Sequence, residues 1–186
     1  TKIVTLGHTT FEEQQASYRE QAMGLLEGGV DAFAIETQMD PLTVKCAVLG
    51  ARQAMAAIGR EVPIFAHVTI ETTGTMLAGS DIATVLPLLE ALDVDVIGLN
   101  CSTGPEDMRD AIRYLGENAT TPVHCIPNAG LPLQGPDGET IFPEKPEPLA
   151  ASLGEFVERF GVGIVGGCCG TTPEHIKAIA DRVRDL

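Results

Sequence analysis

The sequence predicts an α/β fold, a parallel sheet covered by helices, and three observations carry that prediction. Five short runs rich in apolar and β-branched residues recur along the chain: 32–37 (AFAIET), 64–70 (IFAHVTI), 96–101 (VIGLNC), 123–128 (VHCIPN) and 162–168 (VGIVGGC). Their starts lie 32, 32, 27 and 39 residues apart, close to the roughly 30 residues of one βα unit. The runs are nearly continuous in apolar residues, as in strands buried on both faces, and stretches with helix start and stop signals separate them.

Taken in order, Thr10 and Glu13 form a T-x-x-E capping box, after which Tyr18, Ala22, Leu25 and Leu26 share one helix face until Gly28-Gly29 ends it. Asp40-Pro41 and Gly104-Pro105 each set proline at a first helical position shortly after a strand run, and Thr172-Pro173 does so again behind a better cap. A helix is expected from about Ser80 to Asp93, where Pro87 predicts a kink or a late start. Between Pro127 and Pro148 lie Pro132, Pro136, Pro143 and Pro146 with Gly130, Gly135 and Gly138, so this stretch reads as a long, stiffened loop after the fourth strand. The stripe Leu149, Leu153, Phe156, Val157, Phe160 is a helix core face.

Composition narrows the function classes. With 44% hydrophobic residues in 186, one domain spanning 1–186 is expected. Twelve Lys and Arg against 26 Asp and Glu give a net charge of -14, a field that repels nucleic acid and anionic membrane surfaces. No export signal or membrane-spanning run is read, so the expected location is cytoplasmic. Five cysteines, an odd number in such a chain, argue against a disulfide framework and leave thiols that are packed, reactive or metal-bound.

Cys168-Cys169, flanked by Gly166-Gly167 and Gly170, falls at the C-terminal end of the last strand just before a helix N-terminus. Parallel α/β proteins place ligands at that edge, glycines permit close backbone approach, and a helix N-terminus favours thiolate. Cys101 ends another strand, in Gly98-Leu99-Asn100-Cys101, whereas Cys46 lies in a helix pattern and Cys125 mid-strand, where both read as packed residues. Three thiolates from strand ends match a zinc site with an open coordination position, suited to a substrate thiol and to thiol alkylation. The alternative is that all three are merely small strand-end residues. Glu36, ending the run 32–37, is a carboxylate at the same rim that could receive an ammonium group; the alternative is capping of the helix near Pro41, which Asp40 already serves.

Other signals are set aside. The G-x-G-x-x-G pattern at Gly161 to Gly166 lies inside an apolar strand run without the acidic residue that a dinucleotide site needs. His67 and His124 sit within strand runs and read as core histidines with internal partners, and His8 and His175 are scattered.

With G-x-N-C at 98–101 and GGCCGT at 166–171 in view, the sequence resembles the homocysteine S-methyltransferase family over essentially all 186 residues. The phrases HTTFEE at 8–13, GLLEGGVD at 24–31, IET at 35–37 and PNAGLP at 127–132 are most similar to the N-terminal homocysteine-binding module of cobalamin-dependent methionine synthases. The resemblance implies a (β/α)₈ TIM-type barrel with zinc held by Cys101, Cys168 and Cys169, homocysteine sulfur as fourth ligand, Glu36 on the amino group, and Asn100 supporting the site. It also implies methylcobalamin as methyl donor, bound by another module of a longer chain and recharged from methyltetrahydrofolate, with neither corrin nor folate bound by this segment. Family members open with a D-G-A-M-G-T type strand and two further βα units, so roughly the last five of eight units are expected here: an incomplete barrel with two exposed sheet edges, one piece of a longer polypeptide or a self-associating truncation. Two other functions stay open: a free-standing homocysteine methyltransferase using a sulfonium or betaine donor, and a non-catalytic zinc-binding remnant.

Overall fold

The computed structural model describes residues 2–186. Helices α1 (Phe11–Glu27), α2 (Pro41–Ile58), α3 (Ile82–Ala91), α4 (Pro105–Asn118), α5 (Pro146–Phe160) and α6 (Pro173–Val183) alternate with strands β1 (Phe33–Gln38), β2 (Ile64–Val68), β3 (Val96–Asn100), β4 (Val123–Ile126) and β7 (Ile164–Val165). The five strands form one parallel sheet in the order β1-β2-β3-β4-β7. Among the described residues β1 and β7 each have a partner on one side only. No helix of the described residues is long and apolar enough to cross a membrane.

The caps form where the sequence sets them. Thr10 and Glu13 make the capping box of α1, and Asp40 accepts from the Thr43 amide ahead of α2. Thr172 caps α6 with His175, not an acid, as the reciprocal partner. Helix α3 starts at Ile82 behind the cap of Asp81, two residues after Ser80, and runs through Pro87. Pro87 is exposed, and so is Ala83 one turn back, whose carbonyl is the one left without a donor.

Two stretches differ from expectation. Within the proline-rich segment, β5 (Leu133–Gln134) and β6 (Thr140–Ile141) pair as a short antiparallel hairpin, closed by the Gly135 amide on the Glu139 carbonyl at 2.8 Å. Its turn, Gly135 to Gly138, is punctuated by the residues that suggested irregular loop. The last strand is two residues long, not seven, and registers only with His124 and Cys125; four glycines in Gly161–Gly167 weaken it.

The sheet has two different faces. Ile64, Ala66 and Val68, Ile97 and Leu99, Val123 and Cys125 are each at most 5% exposed and pack in one cluster with the helices. The residues alternating with them point the other way, and this inner face carries Glu36, His67, Gly98, Asn100 and His124. Register places His67 beside Gly98 and Gly98 beside His124. Gly98 has no room for a side chain: a Cβ there would run into the His124 carbonyl and come within 3.0 Å of His67 Cδ2.

Candidate metal centre

The chain turns sharply where β3 ends. Cys101 and Ser102 both adopt left-handed backbone, φ 62° and 64°, a conformation that costs a non-glycine residue on the order of 1–2 kcal/mol and marks a position held by its surroundings. The holding contacts are visible. The Cys101 amide donates to the Ile126 carbonyl at 3.3 Å, the Thr103 amide to the Cys101 carbonyl at 2.8 Å, and the Ser102 hydroxyl to Glu71 Oε2 at 2.6 Å.

The cysteine pair after β7 is fixed by the end of β4. Cys168 donates its amide to the Pro127 carbonyl at 2.8 Å, Ala129 donates to the Cys169 carbonyl at 2.9 Å, and Cys169 donates to Asn128 Oδ1 at 3.0 Å. Pairing thus continues past the short strand, with the Asn128 side chain taking the place of a backbone acceptor. The Thr171 hydroxyl donates to the Cys168 carbonyl at 2.7 Å. Gly170, at φ 78°, lies so close to Phe142 that a Cβ would sit 2.6 Å from its Cδ2.

These anchors bring three sulfurs together. Cys101 Sγ is 3.7 Å from Cys169 Sγ, Cys168 Sγ is 3.9 Å from Cys169 Sγ, and all three lie within 4.8 Å of one another. Tetrahedral zinc with Zn–S bonds of about 2.3 Å requires thiolates about 3.8 Å apart, so the spacing fits that ion. Cys101 and Cys168 are half-buried and Cys169 is exposed, which leaves a solvent-facing side for a further ligand. Among the described residues no other His, Cys, Asp or Glu joins the cluster. Burial, then the neighbouring Cys101 and Cys169 thiols, pushes the Cys168 thiol up to about 12, and burial followed by Cys101 raises Cys169. Without a cation these are thiols at neutral pH; a bound divalent ion reverses that balance.

Asn100 is fully buried and connects the centre to the first strand. It accepts from the Thr37 amide at 2.7 Å, donates to the Thr37 hydroxyl at 2.8 Å, and its amide nitrogen lies 3.9 Å from Cys168 Sγ. Thr37 is itself left-handed, φ 56°. Glu36 precedes it on the inner face, its carboxylate 44% exposed and 3.9 Å from His67 Nδ1. The structure therefore groups Cys101, Cys168, Cys169 and Asn100 directly, and ties Glu36 to them through Thr37 without placing it in the sulfur cluster.

Cys46 and Cys125 are buried away from the cluster, and burial pushes the Cys46 thiol up to about 11. Four contributors escaped sequence reasoning: Thr37, Glu71, Asn128 and His67. Asn128 alone had a readable signal, a polar residue two positions beyond a strand end at the same rim. His67 is not a core histidine with both nitrogens satisfied, because its buried Nδ1 has no hydrogen-bond partner.

Comparison with known proteins follows from this geometry. The sequence profile described as Homocysteine S-methyltransferase matches residues 2–183. Methionine synthases from Mycobacterium leprae and Mycobacterium tuberculosis are 51% identical over 183 residues and 50% identical over 186 residues. Those matches take in 98% and 100% of this chain, which spans only 15% and 16% of the relatives' lengths. The apo form of the homocysteine methyltransferase MmuM from Escherichia coli superposes with a TM-score of 0.73 at 25% identity, covering 94% of this chain and 58% of that one. Its metallated form gives 0.72 at 24% identity, covering 94% and 53%.

Proposed function

This chain belongs to the homocysteine S-methyltransferase family, and on that premise we propose that it is the homocysteine-activating part of a methionine synthase, transferring a methyl group to the homocysteine sulfur. The observation that carries the proposal is the triangle of Cys101, Cys168 and Cys169 sulfurs at zinc-thiolate spacing, with a side open to solvent. Bound there, zinc supplies Lewis acidity that keeps a fourth, substrate sulfur deprotonated and nucleophilic at neutral pH. The protein's own groups do the rest. The three thiolates hold the ion, the Asn100 amide lies beside Cys168 and orients it, and the Glu36 carboxylate receives the ammonium group of homocysteine.

The donor in this reading is methylcobalamin carried by another module of a longer polypeptide. Identity of 50–51% to the mycobacterial methionine synthases, against 25% to the E. coli homocysteine methyltransferase MmuM, supports a place within a methionine synthase. Residues 1–186 then form the C-terminal part of a (β/α)₈ barrel whose remaining strands pair with the free edges of β1 and β7. Supporting this, a cavity of about 460 Å³ runs along the open side of β1, lined by Tyr18, Leu25, Val30, Phe33 and Glu36 among others.

Metal analysis and sulfur coordination test the proposal in the complete polypeptide. One zinc per chain with three sulfur ligands, becoming four when homocysteine is added, is the expected result of X-ray absorption. Cys101→Ala, Cys168→Ala and Cys169→Ala each lose the metal and turnover, while Cys46→Ala keeps both. Retained zinc in Cys168→Ala, or a closed four-ligand site before substrate is added, overturns it.

A further inference from the structure

Behind Glu36 the inner face of the sheet holds a polar pair that the cysteine centre does not use. His67 on β2 and His124 on β4 are separated by β3, and side chains two strands apart ordinarily stand about 10 Å from each other. Gly98 removes the obstacle between them. Their rings meet with centroids 4.7 Å apart at 76°, and His67 Nε2 lies 3.1 Å from His124 Nδ1. Phe65 packs edge-on against His124, centroids 6.1 Å apart. His67 is fully buried, and its outer nitrogen, Nδ1, has no hydrogen-bond partner among the described residues and lies 3.9 Å from Glu36 Oε1.

One proton lies between the two rings, and its position decides what Glu36 meets. If His67 Nε2 donates, His67 Nδ1 is a bare lone pair, buried and aimed at an anion. If His124 Nδ1 donates instead, His67 carries its own hydrogen on Nδ1, where it points at the carboxylate. The second arrangement replaces repulsion with attraction and turns a buried polar hydrogen toward the carboxylate. Both rings are neutral at pH 7: burial, reinforced by His124, pushes His67 down to about 3, and burial lowers His124 as well. A neutral N–H orients Glu36 without cancelling its charge, which is what a receiver of an ammonium group requires.

We infer that His67 is a positioning residue for Glu36, its Nδ1–H aiming the carboxylate at the amino group of an α-amino-acid thiol substrate, with His124 fixing the proton on that nitrogen. The inference rests on the proposed role of Glu36. His67 lies outside the three-cysteine cluster, so its effect is expected on recognition of the amino group.

The test compares homocysteine with 4-mercaptobutanoate, which keeps the thiol and carboxylate and lacks the amino group, by calorimetric binding to the zinc-loaded complete polypeptide. His67→Leu is expected to reduce the preference for homocysteine about tenfold, as for one lost polar contact to a charged group, and to leave the affinity for 4-mercaptobutanoate and the zinc content unchanged. His67→Asn, whose amide nitrogen overlays Nδ1, restores the preference. Glu36→Gln removes it, and His67→Leu adds nothing further in the Glu36→Gln background. If Glu36→Gln abolishes the preference and His67→Leu does not, the positioning role is wrong while the Glu36 reading stands; if Glu36→Gln keeps the preference, the Glu36 reading fails and takes this one with it. Nitrogen-15 NMR of the imidazoles gives a readout that needs no variant: hydrogen on His67 Nδ1 is expected, and hydrogen on Nε2 overturns the inference.

Discussion

Asn100→Ala is the most informative single change, because Asn100 serves the fold and the metal centre through the same amide. Removing it deletes two hydrogen bonds to Thr37, at 2.7 and 2.8 Å, and takes the acceptor from the amide of a left-handed residue. Two neutral hydrogen bonds and one unmatched buried donor together amount to about 2–4 kcal/mol. Hydrogen exchange at the end of β1, read on the peptide that contains Thr37, should then speed up about 30- to 700-fold. The same variant loses the donor beside Cys168 and should weaken zinc about 10–100-fold in competition with a chelator. Asn100→Asp separates the two effects. Its carboxylate still accepts from the Thr37 amide and can accept from the Thr37 hydroxyl, so protection returns, while it offers Cys168 no hydrogen and zinc affinity stays below the parent's. Exchange in Asn100→Ala within a factor of two of the parent, or Asn100→Asp with parental zinc affinity, refutes the reasoning.

Further predictions concern the inner face. His67 is buried as a neutral ring with its affinity for a proton lowered to about 3, so between the ordinary histidine value near 6.5 and that point the unfolded chain binds more protons than the folded one. The His67 contribution to stability is therefore flat above pH ~6.5 and falls below it by about 1.4 kcal/mol per pH unit, or about 2 kcal/mol at pH 5; urea unfolding at pH 7 and pH 5 should show a larger drop in the parent than in His67→Asn by about that amount. Gly98→Ala drives a methyl group into the His124 carbonyl and against His67, which separates β3 from β4 and costs about 3 kcal/mol or more. Thermal unfolding measures that cost, and a Gly98→Ala variant as stable as the parent contradicts the packing of the two rings across β3.

The parts of the molecule that were legible in the sequence are those written in short-range patterns. Strand spacing located all five sheet strands to within two residues at their starts, and cap residues located the helices, because both depend on neighbours in the chain. The fifth strand was overestimated since its glycine content speaks for close approach, not pairing length. The cysteines could be assigned to strand ends, and from there to one rim, by topology alone. What the sequence did not disclose is long-range: that Asn100 bonds to Thr37, 63 positions away, that Asn128 completes the ladder of Cys169, 41 positions on, and that a glycine would let two histidines meet across a strand. None of these leaves a periodicity. Each depends on register between strands, which the sheet sets only once it has formed.

That same register links the three-cysteine cluster to the strand that carries Glu36. Thr37, Cys101 and Ser102 are left-handed residues at the ends of β1 and β3, and each conformation persists only while its neighbours hold it. Asn100 lies between them, with both ends of its amide on Thr37 and its nitrogen also near Cys168. An ion that draws the three sulfurs to fixed positions thus also fixes the nitrogen of Asn100, hence Thr37, hence the backbone that carries Glu36. Loading the metal should therefore protect the amide of Thr37 from exchange although no sulfur touches it, and should do so in Cys46→Ala but not in Asn100→Ala. Equal protection of Thr37 with and without zinc would mean that the thiolate centre and the carboxylate rim are neighbours without being coupled.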